Sequence, residues 1–256
     1  GRFDAAVQHL GATFARMGAI AFSYDMVGRG ESAQVSHGNP HALTMQFWNS
    51  MRALDFLLAL PDADAARVGM TGASGGGTQT FLCTAVDGRV TAAAPVVMVS
   101  SWCYGGCACE IGLPIHRGAG YATNNAEIAA LAAPRPLLVV SDGADWTRTA
   151  PRLEYPYLRK VYALFGRNGD VENAHFADEG HDYGPSKRQA VYRFFAKHLG
   201  LKTDGLTAAD GTVDESANTT EPREALEAFD AAHALPADAL RGWDAVMGRL
   251  RSLQGE

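Results

Sequence analysis

The sequence predicts an α/β fold, a mostly parallel sheet covered by helices on both faces, and three observations carry that expectation. Short apolar, strand-like runs alternate with helix-like stretches over short connections, which forces parallel strands joined by crossover helices. One strand-to-helix junction reads Gly72-Ala73-Ser74-Gly75-Gly76, a tight, glycine-flanked turn. Ser74, Asp145 and His181 each follow the carboxyl end of an expected strand, the edge where open α/β sheets take their ligands.

The elements follow in chain order. Val7, Leu10, Phe14 and Met17 fall on one helical face that Gly18 ends, and Ala19–Tyr24 reads as a short buried strand. A Gly-rich loop, Asp25–Ser32, leads to a second amphipathic helix marked by Leu43, Phe47, Met51, Leu54 and Leu58 and ended by Pro61. Arg67–Ala73 is the strand before the turn, and Gly77–Val86 the helix after it. Val90–Val99, Pro136–Ser141 and Val171–Ala177 are further strands, and Pro185–Leu199 is a long helix. Ser100–Ala133 is an insertion on the same sheet edge, able to form a pocket wall. Thr203–Thr220 is polar, after which Pro222–Ala234 and Pro236–Leu253 look helical. The expected organisation is a catalytic domain over residues 1–200 and an acidic linker with a helical appendage over 201–256.

Composition narrows the function. The 256 residues, 47% hydrophobic and 20% charged, suffice for one large core. Net charge is -6, and the stretch from Leu201 carries five Lys/Arg against eleven Asp/Glu while the preceding 200 residues are balanced. There is thus no basic footprint for nucleic acid. No run of about 18 apolar residues suggests a membrane span, and Gly1–Met17 reads as an amphipathic helix rather than a signal peptide.

The chemistry centres on Ser74. A strand before and a helix after make the turn a nucleophile elbow that projects Ser74 Oγ from the sheet edge, with the Gly75 N–H available to a developing oxyanion. A serine hydroxyl needs a base, and His181, in Asp178-Glu179-Gly180-His181-Asp182-Tyr183, is preferred over His9, His37, His41, His116, His175, His198 and His233 by its place after the last strand. The orienting acid is Asp142 or Asp145. Asp142 comes immediately after its strand and could cap the turn, so Asp145 is preferred, in part on the resemblance below. Trp102, Tyr104 and Trp146 could stack on a sugar or acyl group, and each could equally be core packing. Cys83 reads as a small apolar residue on a helix. Cys103, Cys107 and Cys109 crowd one loop near His116, but their spacing matches no zinc motif, so loop packing or a local disulfide is preferred and no metal is expected.

Asp25-Met26-Val27-Gly28-Arg29-Gly30-Glu31-Ser32 resembles the Asp-x-x-Gly-x-Gly-x-Ser loop of the α/β-hydrolase superfamily, and the order Ser74, Asp145, His181 fits it. Within that superfamily, Gly-Ala-Ser-Gly-Gly-Gly, Asn125–Pro136 and Gly-Ala-Asp-Trp-Thr are similar to acetyl xylan esterase-like and dienelactone hydrolase-like proteins. The resemblance covers about residues 1–200. It implies an α/β-hydrolase fold that hydrolyses carboxylic esters, plausibly acetyl groups on plant polysaccharides, without a metal or organic cofactor. The implied partner is a small-molecule or carbohydrate ester, with no nucleic acid and no membrane. It also implies amino-terminal strands and a His-Gly-type loop giving a second oxyanion N–H. This sequence opens almost at its first helix, so those strands are expected to be missing, with Gly1–Phe3 a remnant of the loop, another segment in its place, or the chain a fragment. The rival readings are a prolyl oligopeptidase-type peptidase, which shares the elbow and residue order, and a non-catalytic scaffold of the same fold.

Overall fold

The computed structural model describes residues 1–106 and 115–254. Strands β1 (Gly69–Ala73) and β2 (Ala92–Val96) precede a short antiparallel ribbon, β3 (Arg117–Gly118) with β4 (Tyr121–Ala122), and then come β5 (Leu137–Asp142) and β6 (Val171–Phe176). Among the described residues β1, β2, β5 and β6 form one sheet in that order, every pairing parallel. The principal helices are α1 (Ala5–Arg16), α2 (Ala42–Leu58), α3 (Gly75–Val86), α4 (Asn125–Ala130), α5 (Glu154–Leu164) and α6 (Pro185–Leu199).

Period-two alternation distributes the strand side chains between two cores. Ala92, Ala94 and Val96 of β2 and Leu138 and Val140 of β5 meet Leu10 and Phe14 of α1 and Val191, Tyr192 and Phe195 of α6. Ala93, Leu137, Val139 and Val171 join Phe81 of α3, Ala126 and Ala129 of α4, and Leu158 and Tyr162 of α5 in a second cluster. Both faces of β2 and β5 are therefore dry, which explains why these strands read as continuous apolar runs rather than alternating ones. Phe14 packs edge-on against Tyr192 with ring centroids 5.2 Å apart, tying α1 to α6.

Several expectations are corrected. Ala19–Tyr24 forms no strand, and Ile20 and Phe22 are 47% and 46% exposed. An apolar run becomes a strand only beside a paired neighbour, and among the described residues none lies next to it. Val90–Val99 shortens to β2 because Val97 turns to a φ of +50°. Pro222–Ala234 contains only the helical turn Arg223–Leu226, since Asp230 Oδ1 accepts from the amides of Ala232 and His233 and so competes with the helix. The last helix starts at Trp243 rather than Pro236, where Gly242 adopts a φ of +79°. Helix α5 was not expected at all; its Pro156 sits in the first turn, where no intrahelical bond is lost. Beyond α6, Leu201, Leu206 and Val213 pack into the α1–α6 cluster. Among the described residues no helix is long and apolar enough to cross a membrane.

Candidate active site

The turn after β1 holds Ser74 at φ +56°, ψ −120°, a conformation that costs a non-glycine residue about 1–3 kcal/mol. The Ser74 amide donates to Val96 O at 3.0 Å, and its carbonyl accepts from the Thr78 amide at 3.0 Å. A Cβ at Gly72 would lie 2.7 Å from the Gly76 carbonyl carbon, and one at Gly77 would lie 2.8 Å from Val96 O and Met98 Cβ. At Gly76 a Cβ would meet open space, so Gly72 and Gly77 are the glycines that close approach demands. Gly75 opens α3, and its amide is among the first-turn donors with no intrahelical acceptor.

Asp145 and His181 come together from the loops after β5 and β6. His181 Nδ1 lies 2.6 Å from Asp145 Oδ2, while Asp145 Oδ1 accepts from the Thr147 amide at 2.5 Å and the Thr147 hydroxyl at 2.6 Å. The Asp145 side chain is 4% exposed and that of His181 31%, an acid sealed behind an accessible imidazole. Burial alone would raise the Asp145 pKa, but hydrogen bonds from His181 and Thr147 outweigh it and hold the carboxylate below its ordinary range. Asp142 goes the other way, pushed up by burial and then by the charge of Asp145. Of the two carboxyls, the one that faces the histidine is the more easily ionised. Among the described residues no hydrogen bond joins Ser74 Oγ to His181; in unliganded sites such bonds are often long and tighten only with substrate.

The two loops meet through main chain. The amides of Gly143 and Ala144 donate to Phe176 O at 3.1 Å and Glu179 O at 3.2 Å, and a Cβ on Gly143 would stand 1.8 Å from Ala177 O. Gly143→Ala is expected to cost about 1–3 kcal/mol and to part Asp145 from His181. A urea midpoint and an ester-hydrolysis rate equal to those of the unaltered chain would refute that expectation.

No protein-family model matches the sequence, and no curated protein matches it. Among solved structures, the methylesterase BT1017 superposes with a TM-score of 0.90 at 43% identity, covering 100% of this chain and 58% of that one. This chain has the α/β-hydrolase fold. A glucuronoyl esterase catalytic domain from Hypocrea jecorina (TM-score 0.51, 20% identity, 71% of this chain and 59% of that one) has the same fold. So has a glucuronoyl esterase from Solibacter usitatus (TM-score 0.50, 21% identity, 62% of this chain and 49% of that one).

The Asp-x-x-Gly-x-Gly-x-Ser loop of this α/β-hydrolase fold has a packing basis. Gly28 and Gly30 have φ of +77° and +56°, and a Cβ on either would lie 2.3 Å from His37 N or the Asp25 carboxyl. Asp25 accepts from the Glu31 amide and pairs with Arg2, which anchors Gly1–Phe3 to this loop. Of the three aromatic candidates, Trp146 packs on His181 with ring centroids 4.5 Å apart. Trp102 is half-exposed beneath the Arg148 guanidinium, and Tyr104 stacks on His116 at 4.1 Å. Other histidines have partners of their own: His175 with Ser141, His116 with Asn125, His198 with Glu172. Cys83 is buried, its thiol pushed up to about 11 by burial, and Cys103 is a free thiol, whereas Cys107 and Cys109 lie outside the described residues. Among the described residues no three His, Cys, Asp or Glu side chains converge as metal ligands. Sequence reasoning assigns no part in the site to Gly143 or Thr147, although both lie in the Gly-Ala-Asp-Trp-Thr stretch, nor to Lys187, which lies in no motif.

Proposed function

We propose that this α/β-hydrolase fold is the core of a serine esterase acting on carbohydrate carboxylic esters, with a methyl ester as the first substrate class and an acetyl ester, of the acetyl xylan type, as the second. The observation that carries the reading is the 2.6 Å contact of His181 with Asp145 on the sheet edge that also bears the strained Ser74. The 43% identity to a methylesterase supports the choice of ester, and the chain spans 58% of that protein's length.

In this mechanism Asp145 fixes the imidazole with its proton on Nδ1, leaving Nε2 to receive the Ser74 hydroxyl proton as Oγ attacks the ester carbonyl. The tetrahedral oxyanion faces the Gly75 N–H. His181 then returns the proton to the departing alcohol, and water, deprotonated by the same nitrogen, releases the acid from Ser74. The test measures methanol release from a methyl-esterified polyuronate and turnover of p-nitrophenyl acetate. Ser74→Ala is expected to depress the active reaction by ~10⁴-fold or more. Undiminished rates in Ser74→Ala, or cleavage of a peptide anilide with no ester turnover, would overturn the proposal.

A further inference from the structure

Lys187, in the first turn of α6, has a side chain that is 0% exposed. Its Nζ donates to Gly180 O at 2.7 Å, Asp182 Oδ1 at 2.7 Å and Glu179 Oε2 at 3.2 Å, and stands 3.6 Å from Asp142 Oδ2. Gly180 and Asp182 flank His181 in the chain, and Asp142 ends β5, three residues before Asp145 in the loop that follows. We infer that Lys187 is a positioning residue, which locks the His181 loop against the Asp145 loop from beneath the site.

A buried cation is tolerated only where carboxylates and carbonyls surround it, so the ammonium is stable in place only while both loops and α6 are closed on it. Its three protons are used by the Gly180 carbonyl and two carboxylates, which fixes the backbone on both sides of His181. Asp142, the remaining carboxyl, has no hydrogen bond to its buried Oδ2 among the described residues, and the charge of Lys187, 3.6 Å away, partly offsets that of Asp145. The Phe176 ring, 5.9 Å from Nζ, closes another side, and Ser186 donates to the same Glu179 oxygen at 2.6 Å. The charged groups facing Lys187 are thus Asp142 from β5 and Glu179 and Asp182 from the loop after β6. Burial opposes its charge, but hydrogen bonds to Asp182 and Glu179 prevail and raise its pKa. The inference rests on the esterase reading for its kinetic part, and has a second readout that does not.

The experiment compares Lys187→Met and Lys187→Arg with the unaltered chain for kcat, KM, the pH dependence of kcat/KM, and the NMR signal of the His181 Nδ1 proton, assigned by its loss in His181→Gln. Lys187→Met is expected to lower kcat by about 10–100-fold with KM little changed. It should also move the acidic limb of the profile to higher pH, because removing a nearby cation strengthens the base, and broaden or abolish the Nδ1 proton signal. Lys187→Arg should restore the limb and the signal. If Lys187→Met does not fold, Asp182→Asn decides: it should lower kcat and move the acidic limb to lower pH. Unchanged kcat, pH limb and proton signal in the folded variant would overturn the inference. If the unaltered chain turns over no ester, the esterase reading fails, and the Nδ1 signal in Lys187→Met decides the role of Lys187 by itself.

Discussion

Asp145→Asn is expected to lower kcat for ester hydrolysis by roughly 10⁴-fold, whereas Asp142→Asn is expected to keep it within about tenfold of the unaltered chain. The two aspartates are three residues apart but sit in opposite surroundings. Both Asp145 oxygens are engaged, one by His181 and one by Thr147, and an amide in its place would present an N–H either to Thr147 donors or to the imidazole, favouring the wrong tautomer. Asp142 has no hydrogen bond to Ser74 or His181: its Oδ1 accepts from the Ala144 amide at 3.2 Å and its Oδ2 has no hydrogen bond among the described residues. Steady-state kinetics on the same ester, with circular dichroism to verify folding, separate the two. Equal losses, or a loss confined to Asp142→Asn, would reverse the assignment.

The sequence prefers Asp145 to Asp142 only in part on its own residues, whereas the neighbourhood is legible in them directly. Alternation of elements placed Ser74, the two aspartates and His181 on one edge, because strand and helix periodicity are written in the apolar residues. The choice of acid depends on where β5 ends. The strand runs on through Asp142, whose parity with Leu138 and Val140 turns its side chain toward α6 and leaves the loop beyond to bring Asp145 to the histidine. Lys187 is hidden for a different reason: a lysine in the first turn of a helix reads as solvent-facing, and its burial comes from Glu179 and Asp182 of the loop after β6 converging with Asp142 at the end of β5. The strand expected at Ala19–Tyr24 failed because apolarity reports burial tendency, whereas a strand also needs an adjacent main chain.

Glu215→Gln is expected to destabilise the fold by about 3 kcal/mol at pH 7, the low end of the range for breaking a buried ion pair because glutamine retains one acceptor. Arg188 donates from Nε to Oε1 at 2.8 Å and from Nη2 to Oε2 at 2.5 Å, and the Tyr192 hydroxyl donates to Oε1 at 2.6 Å. The Arg188 and Glu215 side chains are 6% and 17% exposed, so the substitution strands a guanidinium in the packed face of α6 and loosens Val213 and Leu206 above it. Burial pushes the Glu215 pKa up, but the bonds from Arg188 and Tyr192 win and hold it below the ordinary value of 4.5. Its contribution is therefore complete above about pH 4.5 and disappears as pH falls through the depressed folded value, where the carboxyl takes up a proton. Urea unfolding across this range should show the gap between the two chains closing in acid. A gap below about 0.5 kcal/mol at pH 7, or one that widens in acid, would refute the account.

The contact of Gly143 with Ala177 has a bearing on how such a site can diversify. The spacing of Asp145 and His181 is encoded in backbone atoms, an amide against a carbonyl across a glycine with no room for a side chain. An outward-facing neighbour such as Asp178 takes no part in that spacing, and can differ in size and charge without disturbing the Asp145–His181 contact. Rim and centre are thereby separable within one stretch of chain: substitution can rework the exposed side chains while a single hydrogen atom, the one glycine carries in place of a Cβ, keeps the aspartate and the histidine together beneath them.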